Sequence, residues 1–175
     1  MTITLGDQHS GAIFSECQRF RYVLWRNLYP EAEIPATWTD CVWIGLNPST
    51  ADHEALDNTC RRCLKWSKEW GCNRYIMLNA FAFRSTFPKV MLAADDPIGP
   101  ENDYFLESYT ATAKIVIAAW GTHCDLIRVE AVRRAVGRPL ECLGMNQDGS
   151  PRHPLYVPGT AQRTIWDAVS DTGRD

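Results

Sequence analysis

Short hydrophobic runs alternate along this chain with longer amphipathic stretches. Runs of this kind, bounded by Gly, Pro, Asn or Asp, are typical of strands buried in a sheet. Four buried strands are predicted in this way, over residues 41–46, 74–83, 114–120 and 139–143. A further strand is predicted over residues 19–26, where basic and apolar residues alternate, and we expect it at or near a sheet edge.

Helices are predicted where capping residues coincide with apolar positions at helical spacing. They cover residues 58–70, 100–112, 124–136 and 161–169. Asp57 or Asn58 caps the first helix, and Gly71 and Gly137 follow the first and third, as is typical of helix ends. The irregular segment 84–100 is long for a loop without a function.

Strands separated by helix-length segments form βαβ units, in which the strands are parallel and helices cover both faces of the sheet. We therefore predict a three-layer α/β/α fold with a central four-stranded, mainly parallel sheet. The length favours one domain over residues 1–175, with an N-terminal edge strand and extension over residues 1–38. In such a fold, ligands bind at the rim formed by the carboxyl ends of the strands.

Composition narrows the class of protein. A formal net charge of −3 argues against an extended, non-specific nucleic-acid binder, which is usually basic. No apolar run approaches the roughly 20 residues that cross a bilayer, and residues 1–10 lack the basic start of a secretory signal. We therefore expect a cytoplasmic protein with no membrane partner. The oligomeric state stays open.

The seven cysteines are an odd number in a chain without a secretory signal, so a disulfide framework is not expected. Cys60 and Cys63 form one C-x-x-C pair, with Cys72 nearby, whereas zinc and iron–sulfur sites usually need two such pairs. Since the pair lies in a helical pattern, buried thiols are the favoured interpretation and a metal site is the alternative. We predict no cofactor and no metal.

Candidate functional residues lie at the strand ends or in the loops that follow them. Pro48 ends the first buried strand, because it lacks the N–H that a sheet ladder needs. The same rim should collect polar and aromatic side chains from the other strand ends. The candidates are Gly45, Asn47, Ser49, Asn79, Arg84, Trp120, His153 and Tyr156.

Four segments, in this order, resemble the motifs of the uracil-DNA glycosylase superfamily. They are Gly-Leu-Asn-Pro-Ser (45–49), Ile-Met-Leu-Asn (76–79), Ile-Ala-Ala-Trp-Gly (117–121) and His-Pro-Leu-Tyr (153–156). The chain more closely resembles a family of uncharacterised bacterial and phage proteins. The motifs shared with that family stand at residues 45–52, 79–84, 96–103, 119–121 and 153–156.

The glycosylase resemblance implies a glycosylase-like fold and a protein that acts on or recognises a nucleobase in DNA or in a nucleotide. Hydrolysis of an N-glycosidic bond on an unusual base is the implied chemistry, with Asn47 and His153 catalytic and Asn79 reading the base edge. The residues themselves allow Asn47 to orient a water, although an amide is not an effective base. We expect Arg84 to bind a phosphate.

Purely structural roles are an alternative for the same residues. Asn47 is also typical of an ordinary turn, and the structural role for His153 is to hydrogen-bond loop carbonyls. Residues 96–103 have no counterpart among the glycosylases and fit either a helix cap or a lid. The alternative function is a non-catalytic nucleotide- or DNA-binding module on the same fold, since fold does not determine function.

Overall fold

The computed structural model describes residues 1–30, 33 and 35–167, and these form a mixed sheet flanked by helices. The strands are β1 (Thr2–Gly6), β2 (Ser10–Ser15), β3 (Arg21–Asn27), β4 (Asp40–Gly45), β5 (Arg74–Asn79), β6 (Ile115–Ala118), β7 (Glu141–Cys142) and β8 (Thr164–Ile165). The helices are α1 (Asn58–Glu69), α2 (Pro88–Leu92), α3 (Asn102–Thr110) and α4 (Leu126–Val136). Two short 3₁₀ helices, Gly121–His123 and Pro154–Tyr156, lie in loops.

The sheet has the strand order β1-β2-β3-β5-β4-β6-β7-β8. The pairings β5–β4, β4–β6 and β6–β7 are parallel, and the other pairings are antiparallel. The α/β class is confirmed, but the four-stranded, mainly parallel sheet is wrong for the sheet as a whole. The four predicted strands form its parallel part, and antiparallel strands extend it on both sides.

The N-terminal residues account for most of this extension. β1 and β2 form a hairpin that joins β3, which therefore lies inside the sheet, two strands from the edge. The prediction missed the hairpin because β1 is short and half-exposed, with alternating exposed and partly buried positions. A strand of this kind has no continuous apolar run, and the antiparallel partner decides whether it forms.

Alternation along the parallel strands divides the core between the two faces of the sheet. On one face Val42, Ile76 and Val116 belong to a cluster that includes side chains of α3 and α4. On the other face Trp43 and Met77 pack with side chains of α1. Helices thus cover both faces, and each fully buried large apolar side chain contributes about 1.5–3 kcal/mol.

Helix ends follow the chemistry of their capping residues. The Asp57 carboxylate accepts a hydrogen bond from the Cys60 N–H at 2.8 Å and starts α1, as predicted. Asp125 caps α4 in the same way through the Arg128 N–H. Gly137 ends α4 with a φ of 63°, in the left-handed region that favours glycine.

The last predicted helix, 161–169, is wrong over its described part. Thr164 and Ile165 form β8, which pairs with β7. The Trp166 side chain is buried, and the Trp166 backbone N–H donates to the Leu140 carbonyl at 2.8 Å. The pairing of β8 and the burial of Trp166 outweigh the helical spacing of the apolar residues. Residues 168 and 169 of the predicted helix lie outside the described part of the chain. Within the part that is described, no helix has the length and apolar character needed to cross a membrane.

Candidate functional site

A cavity of about 390 Å³ lies at the carboxyl ends of the central parallel strands. Gly45 and Asn79, the last residues of β4 and β5, line it, and Trp120 follows β6. The start of α1 closes another side through Asp57 and Thr59. We call this cavity the rim pocket.

Most of the sequence-predicted residues meet at the rim pocket. Those that line it are Gly45, Asn47, Ser49, Asn79, Trp120, His153 and Tyr156. The structure does not bring Arg84 there. Its guanidinium lies over the Phe14 ring, 5.0 Å from the centroid, and Nη1 donates to the Gln18 carbonyl at 3.2 Å. The Arg84 N–H donates to the Arg19 carbonyl, and although the next residues, Ser85 and Thr86, line the pocket, the Arg84 side chain does not.

Asn79 is a buried polar residue in the pocket wall. Its side chain is 3% exposed, and its Nδ2 has no hydrogen-bond partner among the described residues. It stands beside Gly45 in the parallel register of β4 and β5. A Cβ at position 45 would lie 3.0 Å from Asn79 Oδ1, so the glycine leaves room for the amide.

The segment 96–103 supports Asn79 from behind. Asn102, at the start of α3, donates from Nδ2 to the carbonyls of Asn79 and Ala80 at 3.0 and 3.1 Å. Arg128 donates to the same Ala80 carbonyl and pairs with Asp103 at 2.6 Å. No residue of the segment lines the pocket and none caps α3 through a side chain. It therefore acts as a buttress of β5, and the side-chain cap of α3 expected from sequence is not formed.

Asn47 joins two loops of the pocket wall. Its Nδ2 donates to the carbonyls of Ser85 at 2.7 Å, Pro48 at 3.1 Å and Phe83 at 3.4 Å. The Ser85 N–H in turn donates to the Pro48 carbonyl. The amide N–H groups are therefore committed to the scaffold, and only Oδ1 is left to hold a water.

His153 presents a neutral ring to the pocket. Its Nδ1 accepts the Leu155 N–H at 3.3 Å, which places the proton of the neutral ring on Nε2. Partial burial lowers the pKa of His153 below its usual 6.5. Gly121 lets the two loops approach, since a Cβ there would lie 3.6 Å from His153 Cβ and its φ is +75°. His153 is thus a hydrogen-bond donor at neutral pH.

Trp120 contributes a second unused donor. Its side chain is 2% exposed and packs edge-on against Trp166, with ring centroids 5.0 Å apart. Its Nε1 is buried without a hydrogen-bond partner among the described residues. The indole therefore contributes an unused N–H donor to the pocket lining and also packs in the core.

Sequence reasoning missed Arg21, Asp57 and Cys60 as pocket residues. Arg21 is a buried cation on β3, and burial lowers its pKa. Asp57 is expected from sequence as a helix cap rather than as a site residue, and among the described residues it is the only carboxylate in the lining. Burial raises the pKa of the Cys60 thiol to about 11, so this thiol is protonated and is a poor nucleophile at neutral pH.

Cys60 and Cys63 are buried in the core between α1 and the sheet. Burial also raises the pKa of Cys63 well above its usual value, which disfavours the thiolate that metals bind. The described residues contain no group of three or more His, Cys, Asp or Glu side chains that could hold a metal ion. These thiols pack as small apolar side chains.

Fold and site together define an α/β protein with a donor-rich pocket at the carboxyl ends of parallel strands. Residues 21–155 match the family described as "Protein of unknown function (DUF1643)", and the chain belongs to this family. No curated protein and no solved structure matches the chain. The predicted membership of an uncharacterised family is confirmed, whereas the glycosylase resemblance stays a prediction.

Proposed function

We propose that the rim pocket binds a nucleobase, in DNA or in a nucleotide, and that Asn79 reads the hydrogen-bonding edge of the base. The observation that carries this proposal is a 3% exposed amide in the pocket wall whose Nδ2 has no partner among the residues that the structure describes. Leaving such a donor unsatisfied costs about 1–3 kcal/mol, and a base carbonyl would remove that cost. The amide oxygen offers the matching acceptor to a ring N–H.

The proposed chemistry is hydrolysis of the N-glycosidic bond of an unusual base. Water attacks the anomeric carbon, the bond to the base nitrogen breaks, and the base leaves with the electron pair. His153 Nε2–H donates to the base oxygen that gains negative charge. Asn47 Oδ1 and Ser49 hold the water, and the Asp57 carboxylate is the group able to take its proton.

The fold supports this proposal at the level of topology. The parallel strands β5, β4, β6 and β7, with helices on both faces, correspond in our proposal to the three-layer α/β/α core of the uracil-DNA glycosylase superfamily. The pocket lies at the rim where such sheets bind ligands. Trp120 and Tyr156 supply aromatic surface beside the base.

A second candidate is a nucleotide- or DNA-binding module without catalysis. It is favoured by Asn47, whose amide nitrogen is fully used by three loop carbonyls and whose side chain cannot act as a base. In this case Asn79 would still select the base. The two candidates therefore share a binding prediction and differ only in turnover.

The test is a panel of single- and double-stranded DNA, nucleosides and nucleotides that carry uracil, hypoxanthine or hypermodified pyrimidines. Binding is measured by calorimetry and turnover by abasic sites or released base. Asn79→Asp should change the preference among bases, because it replaces donors by acceptors. His153→Ala should lower turnover roughly 10²–10³-fold and spare binding.

Gln162→Glu, which adds the same charge on an exposed residue, is the control for Asn79→Asp. Base-selective binding that depends on Asn79, with no turnover on any substrate, would support the binding module. If neither Asn79→Asp nor His153→Ala changes binding or turnover of any ligand, the proposed site is refuted.

A further inference from the structure

We infer that Arg21 forms an anion subsite in the rim pocket, which receives the terminal phosphate of a free nucleotide. This inference rests on the proposed function and narrows it. It assigns a nucleoside 5′-monophosphate, rather than a base within a DNA strand, as the ligand class.

Arg21 differs from the other strongly buried or ion-paired arginines of the chain. Arg128 pairs with Asp103 at 2.6 Å, and Arg74 pairs with Asp40 at 2.7 Å. Arg21 is 2% exposed, yet it has no carboxylate within salt-bridge distance among the described residues. A buried charge without a partner is rare, because its lost hydration is not replaced.

The guanidinium has unused donor capacity. One nitrogen, Nη1, donates to the Ala51 carbonyl, while Nε is buried with no partner among the described residues. The side chain lines the rim pocket together with Asn79 and Trp120, whose Nδ2 and Nε1 are also unpaired. All three unused groups are donors, so the ligand that fits them is rich in acceptor oxygens. A phosphate is the acceptor group whose charge and shape best match a guanidinium.

Asp57 limits where an anion can lie. Its carboxylate is in the same pocket and caps α1 through the Cys60 N–H, so the helix start is already occupied by negative charge. Repulsion disfavours a phosphate next to Asp57. Since the Asp57 charge also reaches Arg21, where it opposes the effect of burial on the pKa, the favourable position for a phosphate is one that contacts the guanidinium and points away from the Asp57 carboxylate.

The depth of Arg21 selects a terminal phosphate. In a DNA strand each phosphate is bonded to sugars on both sides, so reaching a 2% exposed guanidinium would pull two chain segments into a cavity of about 390 Å³. A 5′-monophosphate ends at its oxygens and enters alone. The one arginine expected from sequence to bind a phosphate near the opening, Arg84, does not line the pocket.

The experiment compares matched ligands on the full chain. Titration calorimetry is run with deoxyuridine, thymidine and deoxycytidine, with their 5′-monophosphates, with inorganic phosphate and with a short single-stranded DNA. We expect the best monophosphate to bind at least about 10-fold more tightly than its nucleoside, with DNA weaker than the monophosphate. Arg21→Met should remove this advantage, a loss of roughly 10- to 100-fold in affinity for a hydrogen-bonded charge pair.

Two further variants make the comparison specific. Arg21→Lys keeps the charge but loses the planar fork, so its affinity for the monophosphate should lie between those of the wild type and Arg21→Met. Arg26→Met is the control, because Arg26 is on the same strand but does not line the pocket. It should leave both affinities unchanged. Arg21→Met without ligand should melt at or above the wild-type temperature, because it removes an unpaired buried charge.

The outcomes separate this inference from the proposed function. If nucleosides bind as tightly as monophosphates and Asn79→Asp alters both, the base site stands and the phosphate subsite is refuted. If inorganic phosphate binding depends on Arg21 while no base is distinguished, the subsite stands and the nucleobase proposal fails. If Arg21→Met does not fold, the wild-type difference between monophosphate and nucleoside decides, and its absence refutes the inference.

Discussion

The buttress behind Asn79 makes a prediction that does not depend on any ligand. Asn102 is 1% exposed, and its Nδ2 donates to the carbonyls of Asn79 and Ala80 at 3.0 and 3.1 Å. Asn102→Ala removes both hydrogen bonds at once. Ala80 keeps a partner in Arg128, whereas the Asn79 carbonyl loses its link to α3.

The magnitude follows from these contacts. Each buried hydrogen bond contributes about 0.5–1.5 kcal/mol, and a carbonyl left unsatisfied adds about 1–3 kcal/mol. Because the Ala80 carbonyl still accepts a hydrogen bond from Arg128, we expect Asn102→Ala to lower the free energy of unfolding by about 2–4 kcal/mol. In a chain of 175 residues this corresponds to a melting temperature lower by about 5–15 °C.

The assay is urea unfolding followed by circular dichroism, with thermal melting as a second measure. Ser108→Ala, an exposed change on the same helix, is the control and should stay within about 0.5 kcal/mol. A loss below about 1 kcal/mol for Asn102→Ala would show that water or a shifted backbone replaces these bonds. The idea that α3 fixes the end of β5 would then be refuted.

Three further predictions concern the pocket and the core. Gly45→Ala should cost about 1–3 kcal/mol and weaken nucleotide binding in calorimetry, because the new Cβ would lie 3.0 Å from Asn79 Oδ1; unchanged binding would contradict a fixed amide. Replacing Cys60 and Cys63 by Ala should cost about 1–3 kcal/mol in urea unfolding and leave the absorption spectrum unchanged; stoichiometric zinc or iron, lost on replacement, would overturn this. Since burial lowers the pKa of His153 below the unfolded value of 6.5, its neutral form favours folding, and stability should fall as pH drops below about 6.5. His153→Gln should show a smaller fall in melting temperature between pH 7.5 and 5.5, and an equal fall would refute this.

The parallel part of the fold was predictable because its strands are buried on both faces. β4, β5 and β6 are continuous apolar runs, and such runs stand out from the amphipathic helices between them. The antiparallel strands were not predictable in the same way. β1 alternates exposed and half-buried positions, and β8 has two residues, both exposed, so their assignment depends on pairing rather than on their own composition.

The site was predictable where it depends on strand ends. Asn79 and His153 were found because polar residues at or after buried strands must meet at one rim, and the structure brings both to the pocket. Arg21 was missed because basic residues alternating with apolar ones indicate a half-exposed strand. Its guanidinium is buried against the loop around Ala51, which lies 30 residues away in sequence. The prediction for Arg84 was wrong because a position in the loop after β5 does not fix the direction of the side chain: Ser85 lines the pocket, whereas the Arg84 guanidinium lies over the Phe14 ring.

The unpaired donors of the rim pocket give the ligand search its physical basis. Arg21 Nε, Asn79 Nδ2 and Trp120 Nε1 are all buried without partners among the described residues. These groups destabilise the unliganded protein relative to one in which they are paired, so a ligand that supplies acceptors stabilises the folded state selectively.

A ligand present at 100 times its dissociation constant raises the free energy of unfolding by about 2.7 kcal/mol. For a protein of this size the melting temperature then rises by roughly 5–10 °C. A thermal-shift screen of nucleosides, their monophosphates and inorganic phosphate can therefore find the ligand without an activity assay. The rank order within each nucleoside and monophosphate pair then reports on Arg21, and the rank order among bases reports on Asn79.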